Sequence, residues 1–166
     1  TAGEGPLLTA REWGRLVEIS FSEVAGKAYV VAGTMDTSTR RVIEKIKIVR
    51  DIGYGHFVVT PTFYVPVRGR DEHMRLFGAC QEAGGSDMTM VPYTLPSCTQ
   101  SVIAVGTMGA LARRGWAAYC KESSGNPEYV ARLLSEAPAA GMTVLMGNEI
   151  GAAEAIVDAV RSAAPD

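Results

Sequence analysis

The chain has 166 residues, of which 47% are hydrophobic and 20% charged, with a formal net charge of -2, a composition that favours one globular domain with a sizeable core. Its basic residues are scattered and form no stripe interleaved with aromatic residues, which argues against a nucleic-acid-binding surface. No apolar stretch approaches the ~20 residues that span a bilayer, and residues 1–8 lack a secretory signal pattern, so we expect no membrane association and a cytoplasmic protein.

Five short apolar segments predict buried strands, because they lack the alternating polar face of a strand that is exposed on one side. Helical patterns lie between them, so the chain reads as a repeated strand and helix unit. The predicted strands are residues 28–33, 56–60, 88–93, 117–122 and 142–147.

The helical stretches carry recognisable start and stop signals. Thr9 and Glu12 form a capping box that predicts the start of the first helix. Asn126 followed by Pro127 predicts the start of the last one. Two more helices are predicted between these: one with the stripe Val42, Ile46 and Val49 that ends at Gly53, and one with Met74 and Phe77 that ends at Gly84 and Gly85.

Two architectures use repeated strand and helix units. An open doubly wound sheet is complete with five strands, whereas a (β/α)8 barrel typically needs ~250 residues. Length alone therefore favours the open sheet.

Both architectures place their functional sites at the carboxyl ends of the strands. Polar residues stand at or just beyond those predicted ends: Thr34, Asp36, Thr60, Thr62, Tyr64, Tyr93, Thr94, Lys121, Glu122, Asn148 and Glu149.

Lys121 and Tyr93 differ from the other polar residues because each ends an apolar run instead of lying out in a loop. A lysine in a desolvated pocket is more readily found as the neutral amine, which attacks ketones and forms a Schiff base. Such a cycle also needs a group that shuttles protons, and a phenol can do this. Taken alone, Tyr93 also fits a core tyrosine with a satisfied hydroxyl.

Cysteine and histidine positions offer no further site. Three cysteines, Cys80, Cys98 and Cys120, form no CxxC pair and leave one over in any disulfide scheme, so we expect reduced thiols. The two histidines, His56 and His73, lie far apart in the sequence, and no metal site is predicted.

Four motifs in order along the chain resemble a known family: TAGE at 1–4, PTFYVP at 61–66, PYTLPSCT at 92–99 and CKESSGN at 120–126. Together they resemble the pyruvate-dependent class I lyases and aldolases, the family that includes dihydrodipicolinate synthase and N-acetylneuraminate lyase. Each motif is weak alone, but the ordered set is specific. The resemblance implies a (β/α)8 TIM barrel and no metal or organic cofactor.

The resemblance also implies roles for individual residues. Lys121 would form the imine with a 2-oxo acid, most simply pyruvate, and Tyr93 would donate and accept protons. An aldehyde or a sugar acid would be the second substrate. Residues expected to bind substrate are Thr1, Ala2, Gly3, Phe63 and Gly147.

Three positions depart from the synthase pattern. Ala2 replaces a threonine hydroxyl, Phe63 stands where the synthase has a relay tyrosine, and Cys98 stands where it has an arginine for the second substrate's carboxylate. A thiol cannot replace a bidentate guanidinium. We therefore favour a retro-aldol lyase, a hydratase-aldolase or a dehydratase acting on a 2-keto-3-deoxy sugar acid.

We expect residues 1–166 to form a single barrel domain that is incomplete, with about strands two to seven present and the first strand, the last strand and the C-terminal helices lacking. Five predicted strands cannot close such a barrel, so the chain is predicted to be a portion of a longer protein or to lack segments. The resemblance further implies a homo-oligomer, a dimer or tetramer, in which the 61–66 loop region reaches a neighbour's site.

Two alternatives remain at this point. One is a flavodoxin-like open sheet with a binding or regulatory role, in which Lys121 and Asp36 would serve a phosphate or signalling site. The other is a family member that binds a 2-oxo acid without catalysis.

Overall fold

The computed structural model describes residues 3–24, 26–148 and Ala153, and it contains strands that alternate with helices. The strands are β1 (Ala32–Gly33), β2 (His56–Val59), β3 (Thr89–Thr94), β4 (Tyr119–Glu122) and β5 (Thr143–Met146). The helices are α1 (Ala10–Val24), α2 (Thr39–Ile52), α3 (Gly69–Gly84), α4 (Pro96–Thr99), α5 (Val105–Arg113) and α6 (Pro127–Glu136), with 3-10 turns at Gly5–Leu7 and Pro138–Ala140. Glu149, one of the polar residues predicted at a strand end, lies outside the described residues.

The strands form one sheet in the order β1-β2-β3-β4-β5, and every neighbouring pair is parallel. Sequential order is that of a (β/α)8 barrel, in which each strand adds beside the one before it. A flavodoxin-like sheet has the order 2-1-3-4-5. The sheet is therefore part of an incomplete barrel, and the flavodoxin-like alternative is wrong.

Asp36, which that alternative placed in a phosphate or signalling site, belongs to a local ion pair. Lys45 Nζ lies 2.9 Å from Asp36 Oδ2 and also donates to the Met35 carbonyl at 3.1 Å. Burial alone would raise the pKa of Asp36, but hydrogen bonds from Lys45 and Thr37 outweigh it and leave the pKa below the ordinary value. The Asp36 carboxylate is therefore paired with Lys45 of α2 and hydrogen-bonded within the loop that follows β1.

The predicted helix caps are confirmed by their hydrogen bonds. Thr9 N–H donates to Glu12 Oε2 at 2.9 Å, and Glu12 N–H donates to Thr9 Oγ1 at 3.3 Å. Asn126 Oδ1 accepts from Tyr129 N–H at 3.1 Å at the start of α6. Gly53 ends α2 with a φ of 107°, a conformation that favours glycine. The fourth predicted boundary is present as well, because α3 ends at Gly84 with Gly85 as its C-cap at a φ of 72°.

Two features differ from the sequence-based prediction. β1 contains only two residues, and Tyr29 within the predicted strand 28–33 is 95% exposed. The short helices α4 and α5 were not predicted. At α5 the N-cap residue Ala104 has no side-chain acceptor, so the usual start signal is missing.

The two faces of the sheet differ in burial. The face toward the helices holds the hydrophobic core, and the other face carries the Lys121 side chain beside the exposed residues Tyr119 and Leu145. In a closed barrel this second face would be the interior. The largest fully buried apolar side chains are Phe57, Phe77, Ile46, Met90, Ile103, Met108, Leu111, Leu133, Val42, Val49 and Val59.

Within the described ranges no helix is long and apolar enough to cross a membrane. The same residues contain no group of three or more His, Cys, Asp or Glu that could hold a metal ion. All three cysteines are free thiols, with Cys80 and Cys120 buried and Cys98 exposed.

Candidate active site

Lys121 and Tyr93 are direct neighbours on adjacent parallel strands. Their Cα atoms are partners in the β3 and β4 register, near the carboxyl ends of both strands. Paired residues project to the same face of a sheet, and Lys121 Nζ lies 4.4 Å from the centroid of the Tyr93 ring. The face of a tyrosine ring attracts a positively charged amine. The two residues predicted to carry the chemistry are therefore together.

The two side chains are buried to different degrees. Tyr93 is 4% exposed, whereas Lys121 is half-buried. The sequence predicts a lysine sheltered inside a ring of strands. In the described residues the lysine instead lies on the open face of the sheet, because the helices pack on the opposite face and the five strands do not close on themselves.

The Tyr93 hydroxyl is held by Ser123. It donates to Ser123 Oγ at 3.2 Å, and the Ser123 backbone N–H donates to the Thr94 carbonyl at 3.0 Å. Ser123 follows Lys121 by two positions, so side-chain alternation along an extended chain places both on the same face. The phenol and the amine thus share a single polar patch with a serine hydroxyl.

Gly147, directly after β5, borders the polar patch on the side of that strand. Its N–H donates to the Glu122 carbonyl at 2.7 Å, which brings its backbone against β4. A Cβ atom on Gly147 would lie 2.6 Å from Lys121 Cε and would also collide with Ser123 Oγ. Only a residue without a side chain fits here, so the predicted site residue Gly147 does line the lysine.

Glu122 lies between Lys121 and Ser123 in sequence but is almost fully buried, at 1% exposure. One carboxylate oxygen accepts the Ser124 backbone N–H, and the other has no hydrogen-bond partner in the described part of the chain. Burial, with a smaller contribution from the nearby Glu122 charge, raises the pKa of Cys120 to about 12. The helix side of β4 is therefore a buried acidic environment, distinct from the open lysine side.

Tyr129 of α6 lies in the same buried environment. Its hydroxyl donates to the Ile103 carbonyl at 2.7 Å and lies 3.2 Å from Thr94 Oγ1. Burial raises the pKa of Tyr129 to about 12, although the hydrogen bond with Thr94 opposes this shift. Tyr129 is thus held as a neutral phenol that fastens α6 behind β3.

The loop after β2 carries three residues of interest. Phe63 is half-buried, and no ring contact joins it to Tyr93 among the described residues. Tyr64 beside it is 90% exposed and has a φ of 78°, which is unusual for a residue other than glycine. Thr60 is buried, and its hydroxyl has no hydrogen-bond partner in this part of the structure.

Of the three predicted N-terminal site residues, only Gly3 lies in the described part of the chain. Thr1 and Ala2 lie outside the described residues. Gly3 is exposed, and a Cβ atom placed on it would meet nothing within 4 Å. The sequence-based prediction did not include Ser123, although its two-residue spacing from Lys121 is a signal that could have identified it.

Comparison with known proteins gives a consistent assignment. The family model "Dihydrodipicolinate synthetase family" matches residues 1–162. An uncharacterised DapA-like lyase of Halobacterium salinarum is 32% identical over 174 aligned positions, covering 100% of this chain and 55% of the relative. A 4-hydroxy-tetrahydrodipicolinate synthase of Synechococcus is 35% identical over 127 positions, covering 75% of this chain and 40% of the relative.

Solved structures agree with the observed fold. A crystal structure of dihydrodipicolinate synthase matches with a TM-score of 0.79 at 26% identity, covering 88% of this chain and 49% of that chain. The chain spans about half the length of the proteins that it matches.

Proposed function

The chain belongs to the dihydrodipicolinate synthetase family, and from that premise we propose that it supplies the lysine and tyrosine of a class I lyase acting on pyruvate or a related 2-oxo acid. The observation that carries the proposal is the 4.4 Å approach of Lys121 Nζ to the Tyr93 ring. Both residues lie at the carboxyl ends of neighbouring strands, which is where barrel enzymes build their active sites.

Lys121 would act as the nucleophile. Its neutral amine attacks the C2 carbonyl of the keto acid to give a carbinolamine, which loses water to leave a protonated imine. The imine draws electrons from C3, so a C3 proton leaves and an enamine forms. The enamine then attacks an aldehyde carbon, and the reverse sequence cleaves that bond.

Tyr93 would move the protons of this cycle. The departing carbinolamine oxygen needs a proton, and the aldehyde oxygen needs one as the new bond forms. A phenol next to the amine can supply both and recover them afterwards. The hydrogen bond to Ser123 keeps the hydroxyl pointed in a fixed direction.

The carboxylate of the keto acid would bind to the N-terminal turn. By resemblance, Thr1, Ala2 and Gly3 would offer a hydroxyl and backbone N–H groups, and oriented N–H groups form anion sites. Gly147 supports the same pocket because its missing side chain lets the backbone approach Lys121 closely.

The second substrate would be an aldehyde or a sugar acid. Cys98 is exposed on α4, and by resemblance it occupies the position at which the synthase binds a carboxylate through arginine. Neither this thiol nor the Phe63 ring offers a charged group or a relay hydroxyl. We therefore favour a retro-aldol lyase, a hydratase-aldolase or a dehydratase of 2-keto-3-deoxy sugar acids.

We further propose that the protein is a homo-oligomer, a dimer or tetramer, that covers the loop after β2. Tyr64 and Val65 are 90% and 70% exposed, an unusual presentation for two adjacent apolar side chains. The positive φ of Tyr64 costs free energy, of order 1–3 kcal/mol, that a contact with a neighbouring subunit would offset.

Borohydride reduction in the presence of pyruvate tests the Schiff base directly. We expect a covalent mass increase on the Lys121 peptide and none on the peptides of Lys27, Lys45 and Lys47, which serve as internal controls. The adduct should disappear in Lys121→Ala. An intact, folded protein without an adduct, or an adduct that survives this substitution, would remove the proposal.

A turnover assay then separates catalysis from simple binding of the 2-oxo acid. A panel of aldehydes and 2-keto-3-deoxy sugar acids would be supplied to protein that forms the pyruvate adduct. Turnover of any member identifies the lyase reaction. An adduct with no turnover of the whole panel would instead point to a member that binds 2-oxo acids without catalysis.

A further inference from the structure

We propose that Ser123 is a positioning residue that holds the Tyr93 phenol and connects it to solvent for proton exchange. This inference rests on the proposed Schiff-base function and adds a residue to it. Its starting point is the 3.2 Å hydrogen bond from the Tyr93 hydroxyl to Ser123 Oγ.

The difference in burial between Tyr93 and Ser123 indicates how the Tyr93 phenol exchanges protons with solvent. Tyr93 is 4% exposed, so its hydroxyl has little direct access to water. Ser123 is half-buried and lies at the edge of the patch. Because Ser123 Oγ accepts the phenol proton, its own O–H remains free to donate elsewhere. The serine hydroxyl is therefore the natural link between the buried phenol and solvent.

The serine is held in place from three sides. Its backbone N–H donates to the Thr94 carbonyl at 3.0 Å. The buried Glu122 carboxylate accepts the next N–H, that of Ser124, and so fixes the turn that follows β4. Gly147 lies directly against Ser123 Oγ. A hydroxyl held this firmly loses little freedom when it bonds the phenol, which favours efficient transfer.

The proton balance of the step is simple. Tyr93 gives its proton to the departing carbinolamine oxygen, which leaves as water. The resulting phenolate takes a proton from Ser123 Oγ–H, and Ser123 regains one from solvent. No oxidant, reductant or further reactant is needed.

Exchange of the pyruvate C3 hydrogens for deuterium in heavy water tests the role, because it requires the enamine but no second substrate. In the intact protein we expect Ser123→Ala to slow exchange by about tenfold, the size of one lost hydrogen bond. The borohydride adduct on Lys121 should still form. Ser123→Thr keeps a hydroxyl and should recover most of the rate.

A double substitution distinguishes this role from a general structural one. If Ser123 acts through Tyr93, Ser123→Ala should slow exchange no further in a Tyr93→Phe background. Ser124→Ala is the matched control, because the Ser124 hydroxyl accepts from Asn126 N–H instead. It should exchange at the wild-type rate. If Ser123→Ala fails to fold, Ser123→Cys replaces it, because a thiol is a weak hydrogen-bonding group and should also slow exchange.

The outcomes separate the two proposals. A normal adduct with wild-type exchange in the Ser123 variant overturns this inference alone. Equal slowing by Ser123→Ala with and without Tyr93 also overturns it. A wild-type protein that forms no adduct overturns the proposed function and this inference together.

Discussion

Gly147 lies so close to Lys121 that a Cβ atom on the glycine would stand 2.6 Å from Lys121 Cε. The contact follows from the hydrogen bond between Gly147 N–H and the Glu122 carbonyl at 2.7 Å, which holds the end of β5 against β4. On its other side, Lys121 Nζ lies 4.4 Å from the centroid of the Tyr93 ring, so the lysine has a neighbour on each flanking strand. The position of the amine is therefore set partly by an absent side chain on the next strand.

Gly147→Ala should displace Lys121 and weaken Schiff-base formation. We expect a lower yield of the borohydride adduct. We also expect a free energy of unfolding reduced by about 1–3 kcal/mol, because extra volume in a packed site forces side chains or backbone to shift. Mass spectrometry of the Lys121 peptide and urea denaturation measure the two effects.

Gly106→Ala in α5 is the matched control. A Cβ atom on Gly106 would meet nothing within 4 Å, and alanine favours a helix over glycine by up to about 1 kcal/mol. This variant should form the adduct normally and be slightly more stable. Equal adduct yields from the Gly147 and Gly106 variants would show that the close contact does not position the lysine.

Tyr93→Phe should preserve the lysine but remove its proton shuttle. The ring face remains for the Lys121 contact, so we expect the pyruvate adduct to form, more slowly. We expect turnover to fall by about 10²-fold or more, the usual contribution of a positioned acid or base. Steady-state kinetics with an active aldehyde or sugar acid gives the rate.

Tyr119→Phe provides the comparison for that substitution. Tyr119 is at the start of β4, two residues before Lys121, and is 38% exposed. Its ring packs against His56, and among the described residues its hydroxyl makes no hydrogen bond to Lys121 or Tyr93. Removing the Tyr119 hydroxyl should leave the turnover rate within about twofold of the wild-type rate. Similar losses in both variants would mean that the Tyr93 hydroxyl has no special role.

Much of the fold could be predicted because its signals are local. The caps at Thr9 and Asn126 each depend on residues within one helical turn, and both are present as expected. Lys121 and Tyr93 could be predicted as neighbours because each ends an apolar run, and parallel strands align their carboxyl ends. These inferences need only side-chain chemistry and periodicity.

The remaining features depend on contacts between distant segments. Sheet order cannot be read from strand lengths, and chain length wrongly favoured the open sheet. The helix α5 escaped prediction because Ala104 provides no cap, while Gly106 and Gly109 lower helix propensity. The close approach of Gly147 to Lys121 arises only when β5 pairs with β4.

Thiol reactivity should report the packing of the sheet against its helices. Cys98 is exposed, whereas Cys80 and Cys120 are buried and burial raises the pKa of each to about 12. Only a thiolate reacts readily, so we expect Cys98 to be alkylated fast and the other two only after unfolding. Peptide mapping after a brief iodoacetamide pulse measures this, and early labelling of Cys120 would contradict the packing of β4.

The same two buried thiols predict a loss of stability at alkaline pH. Their pKa is about 12 in the folded state against 9.0 for an ordinary thiol, so the folded protein binds more protons between these values. Their contribution to the free energy of unfolding is full below about pH 9 and declines as the pH rises toward 12. Cys80→Ala should flatten this decline in urea denaturation series, whereas Cys98→Ala should not.

His73 should make stability depend on pH on the acid side. Its ring is 3% exposed, and Nε2 lies 3.1 Å from Ser101 Oγ. Burial lowers the pKa of His73, although a hydrogen bond with the Gly69 backbone and the charge of Glu72 partly oppose the shift. The buried ring is therefore held neutral, and protonation is easier in the unfolded chain.

The sign of the effect follows from this difference. The contribution of His73 to the free energy of unfolding is present above the unfolded pKa of 6.5 and is lost as the pH falls below it. Urea midpoints measured from about pH 7 to about pH 5 should fall, and His73→Gln, which keeps a polar group at the site, should show a shallower fall. Asp36, with its pKa below 3.8, loses its contribution only at lower pH and does not interfere. Parallel curves for the wild type and the His73 variant would mean that this histidine titrates alike in the folded and unfolded states.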